Sequence, residues 1–177
     1  MVLPAFYRLA CEGLLPAQWR LVGNGRGDVE HEDFRAHVHD SLTEFGTEPE
    51  RKQWDAFAER VFFAGGGFNS DSPGSLLDVL AKARQSVGSD AQPVHYLAVP
   101  PAAFAELTKA LGQHGLAKGA RVVYEKPFGT SGSDFRELDQ VVHSVLDEQQ
   151  VYRIDHFLGK EATQRSEERR VGKECSS

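Results

Sequence analysis

Short apolar runs alternate with amphipathic segments along most of the chain, and this alternation constrains the fold more than any other feature. The runs are Arg20-Leu21-Val22-Gly23, Arg60-Val61-Phe62-Phe63, His95-Tyr96-Leu97-Ala98-Val99, Arg121-Val122-Val123-Tyr124-Glu125 and Gln150-Val151-Tyr152-Arg153-Ile154. Each is short enough for a strand and is bounded by Gly, Pro or charged residues. Between them the apolar residues recur with helical spacing. Leu3, Phe6, Leu9, Ala10 and Leu14 mark a first helix; Phe34, Val38, Leu42 and Phe45 mark a second over 30–45. Further helices are expected over 49–59, 75–85, 104–111 and 131–146, the last with Leu138, Val141, Val142 and Val145 inward. Apolar strands joined by helices predict an α/β fold, a doubly wound parallel sheet covered on both faces. Such sheets bind ligands beyond the carboxyl ends of their strands, here just after Gly23, Val99, Glu125 and Ile154.

Composition removes several function classes. The 177 residues suit one domain, and 26 acidic against 20 basic side chains leave a net charge of -6. That balance opposes a nucleic-acid or anionic-membrane partner, each of which needs a basic face. No apolar run approaches the ~20 residues of a membrane helix. Two cysteines make no disulfide framework, and no four-ligand zinc set is present. The N-terminal residues show no signal-peptide pattern, so a cytoplasmic location is expected.

Four places carry chemistry. The turn Asn24-Gly25-Arg26-Gly27 follows the first run. In a dinucleotide fold this is where an acid meets a ribose hydroxyl, or an Arg meets a 2′-phosphate; Arg26 favours NADP over NAD. Its rival is a solvated loop with Arg26 paired to Asp28. Pro100-Pro101 forms either a rigid wall under a cofactor or merely a helix start. Glu125-Lys126-Pro127-Phe128-Gly129 holds a Lys at a strand's carboxyl end in a proline elbow, against the alternative of a surface turn. Arg153-Ile154-Asp155-His156-Phe157-Leu158-Gly159-Lys160-Glu161 is the densest cluster. His156 and Lys160, four apart on a helical turn, suit a phosphate dianion, while Asp155 points elsewhere and can orient an imidazole. The alternative is a charged helix start capped by Asp155.

The remaining groups read as structural. His31, His37 and His39 lie beside Glu32 and Asp33, but residues two apart occupy different helix faces and do not converge on a metal. Gly65-Gly66-Gly67 lacks a P-loop lysine and reads as a flexible turn. Cys11 is expected in the core.

The runs Glu125–Gly129 and Arg153–Glu161 resemble those of glucose-6-phosphate dehydrogenases, whose hallmarks are E-K-P-F-G and R-I-D-H-Y-L-G-K-E. Leu3-Pro4-Ala5-Phe6-Tyr7 through Pro16 and Leu97–Pro101 fit the same family, in order, and the resemblance covers about residues 2–164. It implies a Rossmann-like domain that binds NADP and glucose 6-phosphate. It further implies oxidation of the sugar to 6-phosphogluconolactone, by loss of the C1 hydroxyl proton to a histidine base and of hydride to NADP. On this resemblance His156 and Lys160 bind substrate, with His156 at the phosphate. Lys126 bridges substrate and cofactor, Pro127 sets its elbow against the cofactor, and Arg26 takes the 2′-phosphate. Asp155 orients the histidine base, and the full-length enzyme is a homo-oligomer.

The chain also departs from the family pattern. The first strand with its glycine-rich turn and the histidine base are not among these residues, so the chain alone is expected to be inactive and poorly stable. The alternative reading is a catalytically silent module that binds a phosphate ligand. Phe157 replaces a tyrosine, removing one hydroxyl and about 0.5–1.5 kcal/mol of binding. Residues 165–177 do not continue the pattern and read as a translated sequencing adapter, leaving 1–164 as a partial dinucleotide-binding domain.

Overall fold

A computed structural model describes residues 2–45, 48–88, 90–129 and 131–155. The chain forms two compact units, residues 1–91 and 92–177.

In the first unit the elements run α1 (Val2–Cys11), β1 (Leu21–Asn24), α2 (His31–Phe45), α3 (Arg51–Ala58), β2 (Val61–Ala64) and α4 (Leu76–Val87). β1 and β2 pair in parallel with Leu21 opposite Val61. Val38, Phe57 and Val61 form a buried cluster, with Leu3, Phe6, Tyr7 and Ala10 packed against it. Those four α1 residues follow the i, i+3, i+4, i+7 stripe, which fixes the helix's inward face. Cys11 lies at the edge of that stripe and is exposed, contrary to the core position expected for it. Leu9 is exposed on α1, Leu14 beyond the end of that helix, and Phe45 at the end of α2, one turn beyond the buried Leu42.

The far edge of β2 is closed by α2. The backbone N–H of Phe63 donates to His31 Nδ1 at 3.1 Å, and Arg35 Nε donates to the Val61 carbonyl at 3.0 Å. Four residues apart on one helix face, these side chains satisfy an edge strand that would otherwise offer free pairing groups.

In the second unit come β3 (Val94–Leu97), a 3₁₀ turn (Pro101–Ala103), α5 (Phe104–Gln113), β4 (Arg121–Glu125), α6 (Gly132–Val145), a second 3₁₀ turn (Glu148–Gln150) and β5 (Val151–Ile154). The strands form a parallel sheet in the order β3-β4-β5. β3 stops at Leu97, two residues earlier than its apolar run, where the Ala98 N–H turns back to the Tyr96 carbonyl ahead of Pro100-Pro101. Pro101 is the first residue of the 3₁₀ turn, so the proline pair does start a helix.

Strands advancing in one direction through right-handed crossovers place both helices on one face. α5 and α6 pack closely, and a Cβ at Gly112 would lie 2.9 Å from Val145. Burial along β4 alternates accordingly. Val122 and Tyr124 are fully buried, whereas Val123 and Glu125 on the other face are half-buried, so in this unit the described residues cover one face more completely than the expected two. Phe104 of α5 meets Tyr124 edge-on at 5.3 Å. Thr108 donates to the Phe104 carbonyl at 2.7 Å and lies 2.8 Å from the Tyr124 hydroxyl. Among the described residues, no helix is long and apolar enough to cross a membrane.

Candidate functional site

Strand register creates the central pair. β4 and β5 run side by side with Glu125 opposite Ile154. One step further, the Lys126 N–H donates to the Ile154 carbonyl at 3.2 Å. The side chains of Lys126 and Asp155 therefore leave adjacent strand ends, and Lys126 Nζ meets Asp155 Oδ2 at 2.8 Å. The ammonium is 58% exposed and the carboxylate 26%, so the pair faces solvent at the carboxyl end of the sheet, where a parallel sheet receives ligands.

The elbow after Lys126 is firmly shaped. The Lys126–Pro127 peptide is cis, and Phe128 turns back onto Tyr124 and Phe104 at 5.9 and 6.2 Å. Gly129 has φ of 98°, and a Cβ there would lie 2.9 Å from Asp134 Cβ, so only glycine fits where the chain enters α6. Ser131 caps that helix by accepting the Asp134 N–H at 3.2 Å. An open groove of about 460 Å³ runs beside the elbow, lined by Lys126, Pro127, Phe128, Gly129 and Phe135. A larger groove of about 640 Å³ between α5 and α6 contains none of the motif residues.

Tyr96 was not among the residues singled out from sequence. It stands on the same sheet face as Glu125, one register step diagonally away, and its hydroxyl donates to Glu125 Oε1. Burial, and then the bond to this carboxylate, push the tyrosine's pKa up. Glu125 is thus held against β3 while its neighbour Lys126 turns to the groove.

Arg26 belongs to the first unit. Its turn is clamped to the end of β2: Asn24 Nδ2 and the Gly25 N–H both donate to the Ala64 carbonyl, at 2.9 and 3.3 Å, and the Gly67 N–H donates to the Gly25 carbonyl at 2.8 Å. A Cβ at Gly65 would come within 2.7 Å of the Gly27 carbonyl. The three glycines therefore form a tightly packed bed rather than a flexible turn. The Arg26 stem lies along Gly67, and its exposed guanidinium has no carboxylate within ion-pairing distance among the described residues, so the expected alternative with Asp28 is not formed. An unpaired guanidinium over side-chain-free backbone is suited to a phosphate.

His156, Phe157 and Lys160 lie outside the described residues. Among the described residues, no group of three His, Cys, Asp or Glu side chains could hold a metal ion. His31 makes the β2 edge contact, and His39 packs edge-on against Trp54 at 4.8 Å.

Residues 1–165 match the family model described as glucose-6-phosphate dehydrogenase, NAD binding domain. Glucose-6-phosphate 1-dehydrogenase 2 of Mycobacterium bovis is 40% identical over 170 residues, 92% of this chain and 33% of the relative. Glucose-6-phosphate 1-dehydrogenase of Chlamydia muridarum is 33% identical, covering 91% of this chain and 34% of the relative. The chloroplastic glucose-6-phosphate 1-dehydrogenase 1 of Arabidopsis thaliana is 30% identical, covering 90% and 28%. The chain thus spans about a third of the length of the curated relatives it matches. The crystal structure of the Mycobacterium avium enzyme superposes with a TM-score of 0.75 at 28% identity, over 90% of this chain and 33% of that one. A glucose-6-phosphate dehydrogenase solved with its substrate glucose 6-phosphate gives 0.76 at 27%, over 90% and 34%. With its Rossmann-like α/β architecture of parallel sheets, the chain belongs to the glucose-6-phosphate dehydrogenase family, in the part described as its NAD-binding domain.

Proposed function

We propose that this chain supplies the cofactor-facing and part of the substrate-facing strand ends of an NADP-dependent glucose-6-phosphate dehydrogenase. The observation that carries this reading is the Lys126–Asp155 pair at 2.8 Å, set by register at the carboxyl ends of β4 and β5 within the two family motifs. The overall reaction oxidises C1 of glucose 6-phosphate to the lactone, with hydride passing to NADP when it is bound.

Each residue of this chain has a role in that reading. Arg26 pairs with the 2′-phosphate, and the glycine bed beneath it keeps the approach clear. Lys126 lies between sugar and cofactor, where an ammonium donates to hydroxyls on either side. Pro127 shapes the elbow against the cofactor. His156 and Lys160 bind the substrate, with His156 at its phosphate. Asp155 holds the base's imidazole in one tautomer and stabilises its cationic form. The resemblance places that histidine outside residues 2–164, so the purified chain is expected to bind without turnover. Detection of NADPH from glucose 6-phosphate and NADP would contradict this.

The full-length protein is a homo-oligomer in this reading, and cytoplasmic in a bacterial setting, although two plant relatives are named chloroplastic. Residues 165–177 are a non-native tail, a reading supported by the family match ending at residue 165.

Calorimetric titration of the chain with NADP and NAD tests the cofactor assignment. Arg26→Ala is expected to weaken NADP about 10–100-fold, the loss of a charge-assisted contact, and to leave NAD unchanged. Equal loss for both, or loss for neither, overturns the role of Arg26.

A further inference from the structure

Arg153 stands on the covered face of the sheet, opposite Tyr124 in the β4–β5 register. Its guanidinium is engaged on two sides. Nη1 meets Glu148 Oε1 at 2.8 Å and Nη2 meets Asp139 Oδ1 at 3.2 Å, while its carbon lies 5.7 Å from the centre of the Phe128 ring. Both carboxylates are shared with His143, whose Nε2 is 2.6 Å from Glu148 Oε2 and whose Nδ1 is 2.9 Å from the Asp139 carbonyl oxygen and 3.4 Å from its Oδ1. Every partner of this imidazole is an acceptor, so the geometry suits a ring that donates from both nitrogens, the cationic form. Asp139, His143, Glu148 and Arg153 thus close a ring of alternating charge.

We propose that Arg153 is a positioning residue for the Lys126–Asp155 pair: braced by this ring, it clamps Phe128, the residue that anchors the Lys126 elbow. The proposal rests on the functional reading above for the identity of the ligand, but the clamp itself is a property of the free chain. Asp155 lies two residues beyond Arg153 and Lys126 two residues before Phe128, so both members of the pair are tied to the guanidinium, one through β5 and one through the ring contact.

His143 gives the clamp a pH dependence. Its pKa is raised by the bond to Glu148 first and then by the Asp139 carbonyl; that of Glu148 is lowered by Arg153 first and then by His143. A raised histidine contributes below its ordinary value and loses its contribution as pH rises through the folded one. Deprotonation leaves Arg153 alone to hold two carboxylates. Among the described residues the Tyr124 hydroxyl on β4 also feels the Arg153 charge, which lowers its pKa against the larger upward push of burial.

The test is an NMR titration of the 177-residue chain from pH 5.5 to 9, following Lys126 ¹⁵Nζ, Asp155 ¹³Cγ and the His143 ring, with and without glucose 6-phosphate. In wild type, the Lys126 and Asp155 signals are expected to show a step that tracks His143. His143→Gln, on an exposed side chain, should remove that step with the fold intact, and Arg153→Met should shift both signals at every pH. Arg153→Lys, keeping charge without the two-pronged geometry, should restore them only in part. Glucose 6-phosphate affinity should fall about tenfold in Arg153→Met, the scale of a partly desolvated cation–π contact. No tracking step in wild type, or a step that persists in His143→Gln, overturns the proposal whether or not Arg153→Met folds. Failure of wild type to bind the sugar while the step is present overturns the ligand assignment and leaves the clamp standing.

Discussion

The Thr108–Tyr124 hydrogen bond lies directly beneath the elbow, and its removal has a calculable signature. Both residues are fully buried. The threonine hydroxyl donates to the Phe104 carbonyl at 2.7 Å, so at the 2.8 Å contact with Tyr124 it is the acceptor and the tyrosine O–H the donor. Thr108→Val keeps the shape and leaves that donor buried without a partner, which costs about 1–3 kcal/mol. Tyr124→Phe removes the donor itself. Thr108 then keeps its bond to Phe104, and the cost is about 0.5–1.5 kcal/mol. In the double variant two apolar groups face each other, so Thr108→Val adds little to Tyr124→Phe. The cycle therefore predicts a coupling of about 1–3 kcal/mol, nearly the whole cost of Thr108→Val in wild type. Both tryptophans, Trp19 and Trp54, lie in the first unit, so their fluorescence is the wrong probe. Urea unfolding should be followed by far-ultraviolet circular dichroism and by amide exchange in β4. Additive costs, or Thr108→Val without loss of stability, would refute the assignment of donor and acceptor.

Other perturbations have equally definite outcomes. His31→Leu removes the acceptor for the Phe63 N–H, and should cost about 1–2 kcal/mol and promote concentration-dependent light scattering from the opened β2 edge. Gly65→Ala drives a Cβ toward the Gly27 carbonyl, and is expected to displace the Arg26 turn, lower stability by about 1–3 kcal/mol and weaken NADP in calorimetry. Asp155→Asn should change the melting temperature by no more than the worth of a partly solvated pair, about 1 kcal/mol, while shifting the Lys126 ammonium signal in NMR.

How far the sequence reveals this molecule follows from what each feature depends on. The strand and helix order is legible because it rests on local periodicity, and β4 runs from Arg121 to Glu125 as its apolar stretch requires. The end of β3 was less legible: Val99 extends the apolar run but the backbone turns at Ala98 ahead of two prolines. Cys11 misleads because spacing locates a stripe without fixing its centre, which lies on Phe6 and Tyr7. The chemical types at Arg26, Lys126 and Asp155 are readable as motifs. Their contacts are not, because the Lys126–Asp155 pair depends on a register between residues 29 apart. Tyr96 and His31 escape a reading by motif for the same reason, and Arg153 is legible as part of its motif but not in its contacts, since each acts across strands or from helix to strand. The three consecutive glycines read as a turn, and the tightness of their bed emerges only when Gly27 and Asp28 are brought against it.

In this reading the Lys126–Asp155 strand ends form the sugar-phosphate side of the domain. Titration of ¹⁵N-labelled chain with glucose 6-phosphate, in wild type and Lys126→Met, tests it most directly. Saturable shifts confined to residues 125–129 and 152–160, and lost in Lys126→Met, are the predicted result. Saturable binding that maps elsewhere, or that survives Lys126→Met unchanged, would contradict it.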